Sequence, residues 1–337
     1  MMAETPSLPP PSSERPASRA DRQAALSPLV TIVLLNYRGA DDTLACLASL
    51  GELTYPRFEI VVVDNDSRDD SVERLRAGGF SGRLIQAREN GGFSAGNNLG
   101  VEVALHNRAD YVWLLNNDTV VEPGALTHLV AEAEKTGGLA GSLLLYPDRS
   151  FQQAGVAINW RTGGSRGVAE TALYDGMPLT ALSGASMLIP IKVIQRIGPL
   201  DERYFLYFED VEYCLRAARK RYPVTLAIRS RVFHKEGAST GKRSAATRYY
   251  YQRNRLKVLL SYATPLTGLS ILAYSLFRWA RSLVKGLGGD PDRRLDARVH
   301  TLAMWDFLRG VNGPCPHALE RPSSLSDLPV LGVAARS

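Results

Sequence analysis

Tyr111-Val-Trp-Leu-Leu-Asn-Asn-Asp118-Thr-Val-Val121 is an apolar run that ends in two amides and a carboxylate. A strand built from such a run delivers its polar end to one edge of a sheet, where a metal ion or a phosphate group is held. The design recurs upstream in Ile60-Val-Val-Val-Asp64-Asn65-Asp66-Ser67, and again in Val30-Thr-Ile-Val-Leu-Leu35 with its turn Asn36-Tyr37-Arg38-Gly39. Between these runs Asp41 to Leu50 has helical apolar spacing, and Ser67 to Arg76 reads as a polar helix. Arg83 to Ala87 reads as a third short strand and Asn97 to His106 as a further helix. Alternation at this interval predicts an α/β fold, a mostly parallel, doubly wound sheet with ligands at the carboxyl ends of its strands.

Downstream, Gly124 to Lys135 is expected to be a helix and Leu139 to Leu145 a strand. The Gly- and Arg-rich stretch from Tyr146 to Asp175 has weak periodicity and is expected to be a mobile insertion. Leu182 to Ile189 resumes a strand, Val193 to Ile197 and Val211 to Lys220 read as helices, and Tyr222 to Ile228 as a strand ending before Val232-Phe233-His234. Val258 to Phe277 carries no charge, a length near the lower limit for crossing a bilayer. Pro265, Gly268 and basic residues on both flanks favour an interfacial membrane contact over a span.

The chain has 337 residues, 45% of them hydrophobic, enough for one large α/β domain with appendages. A net charge of +6 favours anionic partners, whether a membrane surface or a phosphate-bearing substrate. Nucleic acid is disfavoured, because Lys and Arg are dispersed and no recognised module is present. Cys46, Cys214 and Cys315 lack paired spacing, which argues against a disulfide framework or thiolate zinc site and for a cytosolic setting. Residues 1–27, rich in Pro, Ser and Ala, have no apolar run and are expected to be a disordered leader; a Pro-rich tail is expected over 313–337.

Several side chains carry chemistry in this pattern. Asp118 at a strand end, beside Asn116 and Asn117, suits a divalent cation that neutralises a diphosphate, although an isolated Asn-Asn-Asp also serves as a turn. Asp64 leaves the sheet edge where a ribose or base accepts a hydrogen bond, or else caps a helix. Asn90-Gly-Gly-Phe-Ser-Ala-Gly-Asn97-Asn98 supplies glycines for close backbone approach and amides at a helix start. It matches neither the dinucleotide fingerprint nor the Walker phosphate loop. Glu209-Asp210 follows an aromatic cluster at a helix start, where apolar walls and the helix dipole act in opposite directions on a carboxylate; a general base for a sugar hydroxyl and simple dipole stabilisation both fit. His234 after Val-Phe is either a metal ligand through neutral imidazole or structural.

Taken in order, Val33-Leu-Leu-Asn36-Tyr37, Val61-Val-Val-Asp64-Asn65, Asn90 to Asn98, Leu114-Leu-Asn116-Asn117-Asp118, Gly198-Pro-Leu-Asp201-Glu202-Arg-Tyr-Phe, Phe208-Glu209-Asp210-Val211-Glu212 and His234 resemble glycosyltransferase family 2. The closest likeness is to its rhamnosyltransferase-like branch of bacterial surface-polysaccharide enzymes, and it runs from about Val30 to Arg255. The resemblance implies a GT-A fold over residues 28–248, followed by a helical, membrane-associating region over 249–312. It implies an inverting transfer of a hexose, with rhamnose foremost, from a nucleotide-diphosphate donor to a saccharide or lipid-linked acceptor, on the cytoplasmic face of the cell membrane. A catalytically degenerate scaffold of the same fold is the alternative.

In that resemblance Asn36, Asp64, Asn65 and Asn97 belong to the donor side. Asn116-Asn117-Asp118 occupies the place of the family's Asp-x-Asp motif, with Asp118 on a divalent cation, Mg2+ or Mn2+, that His234 helps to hold. Asp210 is the implied base, Glu209 its support, and Gly184 lies on the acceptor side. The motif has one carboxylate where many relatives have two or three, which puts strict metal dependence in doubt. Arg253 and Arg255 are expected either over the diphosphate or in a basic membrane-facing stripe.

Overall fold

The computed structural model describes residues 27–235 and 244–319. The expected leader, but for its last residue, and the tail beyond residue 319 lie outside the described residues. Strands β1 (Val30–Asn36), β2 (Phe58–Asp64), β3 (Arg83–Gln86) and β4 (Tyr111–Asn116) form a parallel block in the order β3-β2-β1-β4. Strand β11 (Ser186–Pro190) enters antiparallel beside β4, and β6 (Leu139–Leu145) antiparallel to β11. β12 (Val224–His234) pairs parallel with β6, so β6 and β12 point the same way as the first block. The sheet is thus mostly parallel, with the shorter β5 (Thr119–Val121), β7 (Phe151–Gln153) and β10 (Met177–Pro178) running against it.

Both faces of this sheet are covered, which is why its strands read as unbroken apolar runs. Val33, Val61, Val63, Val112 and Leu114 face one layer, with Val101 and Ala104 of α3 (Gly92–His106), Val193 of α5 (Ile191–Ile197) and Val211 of α6 (Glu209–Arg219). Val30, Ile32, Leu34, Val62, Trp113 and Leu115 face the other, with Cys46 and Leu50 of α1 (Ala40–Leu50), Leu75 of α2 (Ser71–Ala77) and Leu126 and Leu129 of α4 (Ala125–Thr136). Polar groups inside this core are paired across strands. Trp113 Nε1 donates to Ser186 Oγ at 2.9 Å, and Ser142 Oγ lies 2.7 Å from Ser186 Oγ and 2.8 Å from Ser230 Oγ. Four strands are thereby linked through one buried chain of hydroxyls, which spares each the cost of an unmade bond.

Three expectations change. The helix expected from Ser67 starts at Ser71, because Ser67 is occupied with the β2 end, its N–H and hydroxyl both donating to Asp64. The helix expected from Asn97 starts at Gly92. The stretch from Tyr146 to Asp175 is not an unstructured insertion: it supplies β7 and a hairpin of β8 (Val156–Asn159) with β9 (Gly164–Gly167). Arg255 Nη1 donates to the carbonyls of Thr162 and Gly163 at 3.2 and 3.1 Å and ties the hairpin turn to the helices that follow.

Those helices are α7 (Ala245–Tyr262), α8 (Pro265–Gly286) and α9 (Pro291–Leu308). The charge-free run is split between α7 and α8 at Thr264-Pro265, where the Thr264 hydroxyl caps α8. Among the described residues no helix is long and apolar enough to cross a membrane. Arg253 and Arg255 are both 1% exposed, which excludes a membrane-facing stripe, and neither lines the cleft described below. Their guanidinium groups bond inside: Arg253 to Tyr249, Asn254 and the Gly313 carbonyl, Arg255 through its two terminal nitrogens to the hairpin turn and Ser275. Residues 313–319 return along α7, where Cys315 N donates to the Tyr250 hydroxyl at 2.8 Å.

Asn254, wholly buried on α7, donates through Nδ2 to the carbonyls of Leu206 (2.9 Å) and Tyr207 (3.0 Å). Those carbonyls belong to a turn in which Tyr207 and Phe208 both have positive φ, 65° and 73°, a conformation that costs about 1–3 kcal/mol per non-glycine residue unless its surroundings hold it. Asn254→Ala withdraws the donor from both carbonyls and is expected to lower stability by about 2–4 kcal/mol in urea unfolding. An unchanged midpoint would show that the turn does not depend on α7.

Candidate active site

At the carboxyl edge of the sheet, β1 and β2 end side by side, with Asn36 paired to Asp64 in the ladder. Asn36 Nδ2 donates to Asp64 Oδ1 (2.7 Å) and Ser67 Oγ (3.2 Å), while Asn36 Oδ1 accepts from Thr43 Oγ1 (2.8 Å). Thr43 Oγ1 in turn accepts from Asn117 Nδ2 at 2.9 Å. The Asp64 carboxylate also accepts from the Ser67 hydroxyl at 2.5 Å and the Ser67 N–H at 3.1 Å. One continuous network therefore joins the ends of β1 and β2 to α1 and to the turn after β4.

A cleft of about 480 Å³ opens above this edge, lined by Leu35, Asn65, Asn116, Asn117 and Asp118 on the strand ends and by Gly184, Glu209, Asp210 and His234 from later segments. Asn36, Asp64 and Asn97 do not line it. Asn36 and Asp64 spend their side chains in the network beneath, and Asn97 Nδ2 bonds to the Phe93 carbonyl one turn back in α3 at 2.9 Å. Asn65 does reach the cleft, and its amide holds the glycine turn: Nδ2 donates to Asn90 Oδ1 (3.0 Å) and the Gly92 carbonyl (3.1 Å). Gly92 has φ +81°, and a Cβ there would collide with the Phe205 carbonyl, which accepts from Phe93 N at 2.7 Å.

Asp118 and His234 meet because β5, directly after Asp118, pairs antiparallel with the end of β12, His234 opposite Thr119. His234 Nε2 lies 3.2 Å from Asp118 Oδ1 and 3.4 Å from Asn116 Nδ2. Gln152 grips the imidazole from behind: its Nε2 donates to the His234 carbonyl at 3.0 Å, which turns its Oε1 to His234 Nδ1 at 2.9 Å. Nδ1 is thereby matched to an acceptor, and Nε2 faces the carboxylate. Two electron-rich atoms facing each other in a buried pair repel unless a proton or a cation lies between them. Cis ligands of a divalent cation bound at about 2.1 Å are roughly 3 Å apart, so the separation fits such an ion. Among the described residues no group of three or more His, Cys, Asp or Glu is arranged around a metal.

Glu209 and Asp210 open α6 directly after the Tyr207–Phe208 turn. Asp210 Oδ2 accepts from Gly184 N at 2.9 Å and Oδ1 from Val211 N at 2.7 Å. Burial raises the Asp210 pKa, and these backbone donors act against the rise. Glu209 is pushed well above the ordinary carboxylate range by burial and then by the charge on Asp210; its Oε2 is buried without a hydrogen-bond partner. A Cβ on Gly184 would lie 3.0 Å from the Phe93 ring and 3.6 Å from Asp210 Cβ, so the glycine lets the backbone N–H approach the carboxylate.

Sequence reasoning missed Gln152, whose partner lies 82 residues away, and Tyr251, whose ring packs edge-on against Phe208 at 5.1 Å and whose hydroxyl is 2.6 Å from Ser165 Oγ. The Glu89-to-Asn98 segment held one signal for such contacts, since Asn90 has no apolar periodicity to serve. Nothing local marks Gln152.

A model of glycosyl transferase family 2 matches residues 31–177. Uncharacterized protein y4gI of Sinorhizobium fredii is 29% identical over 235 residues, 64% of this chain and 25% of that protein. O-antigen biosynthesis protein RfbC of Myxococcus xanthus is 28% identical over 231 residues, 63% of this chain and 18% of its own length. The chain therefore spans a quarter or less of these two curated relatives. The dTDP-rhamnosyl transferase RfbF of Shigella flexneri is 24% identical over 280 residues, covering 79% of this chain and 91% of that one. Among solved structures, mannosyltransferase PcManGT from Pyrobaculum calidifontis, in complex with GDP-Man and Mn2+, superimposes with a TM-score of 0.52 at 16% identity over 85% of this chain and 88% of that one. GalNAc-T7 with UDP, GalNAc and Mn2+ gives 0.56 at 15% identity over 69% and 48%. These two likenesses establish the GT-A fold. The family match covers the strands of this sheet edge and the turn that carries Asp118, so in this part the chain is similar to glycosyltransferase family 2, and its relatives include a rhamnosyl transferase.

Proposed function

We propose that the chain is an inverting glycosyltransferase that moves a hexose, rhamnose foremost, from a nucleotide-diphosphate donor to a saccharide or lipid-linked acceptor in surface-polysaccharide synthesis at the inner face of the membrane. The observation that carries the reading is that one cleft is lined both by the Asp118–His234 pair and by Asp210. The similarity to a dTDP-rhamnosyl transferase supports rhamnose. Asn65, Asn116 and Asn117 are suited to the donor, with Asn36 and Asp64 holding the edge on which it lies and Asn97 bonded within α3.

In this reading Asp210 takes the proton of the acceptor hydroxyl as its oxygen forms a bond to the anomeric carbon. The bond from that carbon to the diphosphate oxygen breaks on the opposite face, and the configuration inverts. Asp118 and His234 would hold a divalent cation, Mg2+ or Mn2+, whose charge would offset that of the departing diphosphate. Gly184 N and Val211 N hold the Asp210 carboxylate in place for this transfer, and positioning supplies much of the acceleration.

Asp210→Asn is expected to lower transfer by about a hundred- to ten-thousandfold with nucleotide binding nearly unchanged. Equal loss of both in a folded variant would reject the base assignment. Gln152→Leu releases the imidazole and is expected to weaken Mn2+-enhanced nucleotide binding about 10–100-fold, with metal-free binding unchanged. A thermal-shift panel of thymidine, uridine and guanosine diphosphates, each with and without Mn2+, reads this directly; no metal enhancement with any nucleotide would overturn the assignment of the pair. A third expectation follows from Glu209. The folded state holds its proton more tightly than the unfolded chain does, so stability falls as pH rises from about 4.5 through the raised folded value and then levels. Glu209→Gln is therefore expected to melt above the parent at pH 8, with the gap closing toward pH 4; a gap independent of pH would contradict the raised pKa.

A further inference from the structure

A second cavity, of about 590 Å³, lies among α7, α8 and α9, and its lining includes Arg248, Arg278, Arg281, Lys285 and Arg293. Asp296 is its one acidic lining residue, and it is taken by Arg248 at 2.7 Å. Arg293 pairs with Asp290 at 3.4 Å. No ion pair holds Arg278, Arg281 or Lys285 among the described residues. At i, i+3 and i+7 they share one face of α8, a surplus of three positive charges.

Two further atoms in this lining lack a partner: Arg248 Nε and His300 Nδ1 are buried with no hydrogen bond. Burial, then Arg278, Arg255 and Arg248, push the His300 pKa down to about 4, so the ring is neutral at physiological pH. The unmade buried N–H of Arg248 among surplus guanidinium groups suits an anion with several acceptor oxygens.

The neighbouring surface of α8 is apolar. Leu266, Leu269, Leu276, Phe277 and Val284 are exposed, Leu266 at 79% and Val284 at 68%, and Leu287 just past the helix end is exposed at 68%. Their spacing draws one stripe along the helix, and Arg278 and Lys285 each follow a stripe residue directly, so the cations run along its flank. Phe277 belongs to both stripe and cavity. An apolar stripe flanked by cations is the pattern of a helix lying in a membrane interface.

We propose that the cavity among α7, α8 and α9 holds the phosphate or diphosphate of a membrane lipid while the α8 stripe enters the acyl region beside it. Tyr251 borders both this cavity and the cleft, so the lipid phosphate lies next to a residue of the proposed transfer site. The proposal deepens the placement of the enzyme at a membrane and rests on it for its occupant.

The test is flotation of the full chain, without sugar donor, on phosphatidylcholine vesicles with and without phosphatidic acid. The chain is expected to float with the phosphatidic acid vesicles and not with phosphatidylcholine alone, and inorganic diphosphate is expected to reduce that binding. Arg278→Gln, Arg281→Gln and Lys285→Gln together are expected to lower it roughly a hundredfold, with transfer to a soluble saccharide acceptor retained. Leu276→Ser with Phe277→Ser is expected to abolish flotation while leaving the thermal shift produced by diphosphate intact. Equal binding to both vesicle types, or a folded triple variant that binds like the parent, would overturn the proposal. So would a diphosphate shift without vesicle binding, which would assign the cavity to a soluble phosphate, or a stable dimer that covers the stripe and ignores vesicles. Loss of transfer in every assay with vesicle binding intact would instead count against the transferase reading alone.

Discussion

The hydrogen bond from Asn36 Nδ2 to the Asp64 carboxylate joins the ends of two parallel strands, and the cleft rests on it. A buried carboxylate is tolerated only when its oxygens are bonded, and Asp64 has three donors from two residues. Through Thr43 the same network reaches Asn117, so the turn that carries Asp118 is positioned by the strand ends beside it. Remove Asn36 and the amides at the cleft floor lose their common anchor.

The opposite solution appears at the start of α6. There Glu209 is buried with an unpartnered oxygen next to Asp210, after two residues in a left-handed conformation. The strain is held from outside by Asn254 and by the Gly184 backbone, each from a distant part of the chain. A region that is costly to fold and is stabilised by remote contacts is where pKa values are displaced most usefully for proton transfer. The helical extension is therefore part of the construction of the cleft, and α7 acts on the turn before α6 through the Asn254 amide and the Tyr251 ring.

What could be read from the chain followed from physics that is local. Strands covered on both faces are continuous apolar runs, so β1, β2, β4 and β6 were legible, and polar residues at their ends marked the rim at Asn65, Asn116 and Asp118. Polarity at a strand end does not say whether a side chain faces the ligand or the layer below, and for that reason Asn36 and Asp64 are foundation and not surface. Gln152 and Asn254 were invisible because their partners are 82 and about 50 residues away, set by topology alone. Arg253 and Arg255 misled for the complementary reason: a basic aromatic segment looks like a surface, and only the packing of α7 against α8, α9 and the β8–β9 hairpin shows the guanidinium groups bonded to carbonyls and hydroxyls inside.

The irregularity in β12, where Ala227 pairs with Ser142 and Arg231 already with Leu143, divides that strand into two rulers. Below it the count of residues is kept by β6; above it, by β6 and β5 together, down to His234 opposite Thr119. Residues 228–230 have no ladder partner on β6, and Ser230 among them reaches Ser142 through its hydroxyl, whereas a residue gained or lost between Arg231 and His234 reverses which face the imidazole occupies. The register is thus kept by β6 on both sides of the kink and by β5 only after it, with the boundary three residues before the histidine.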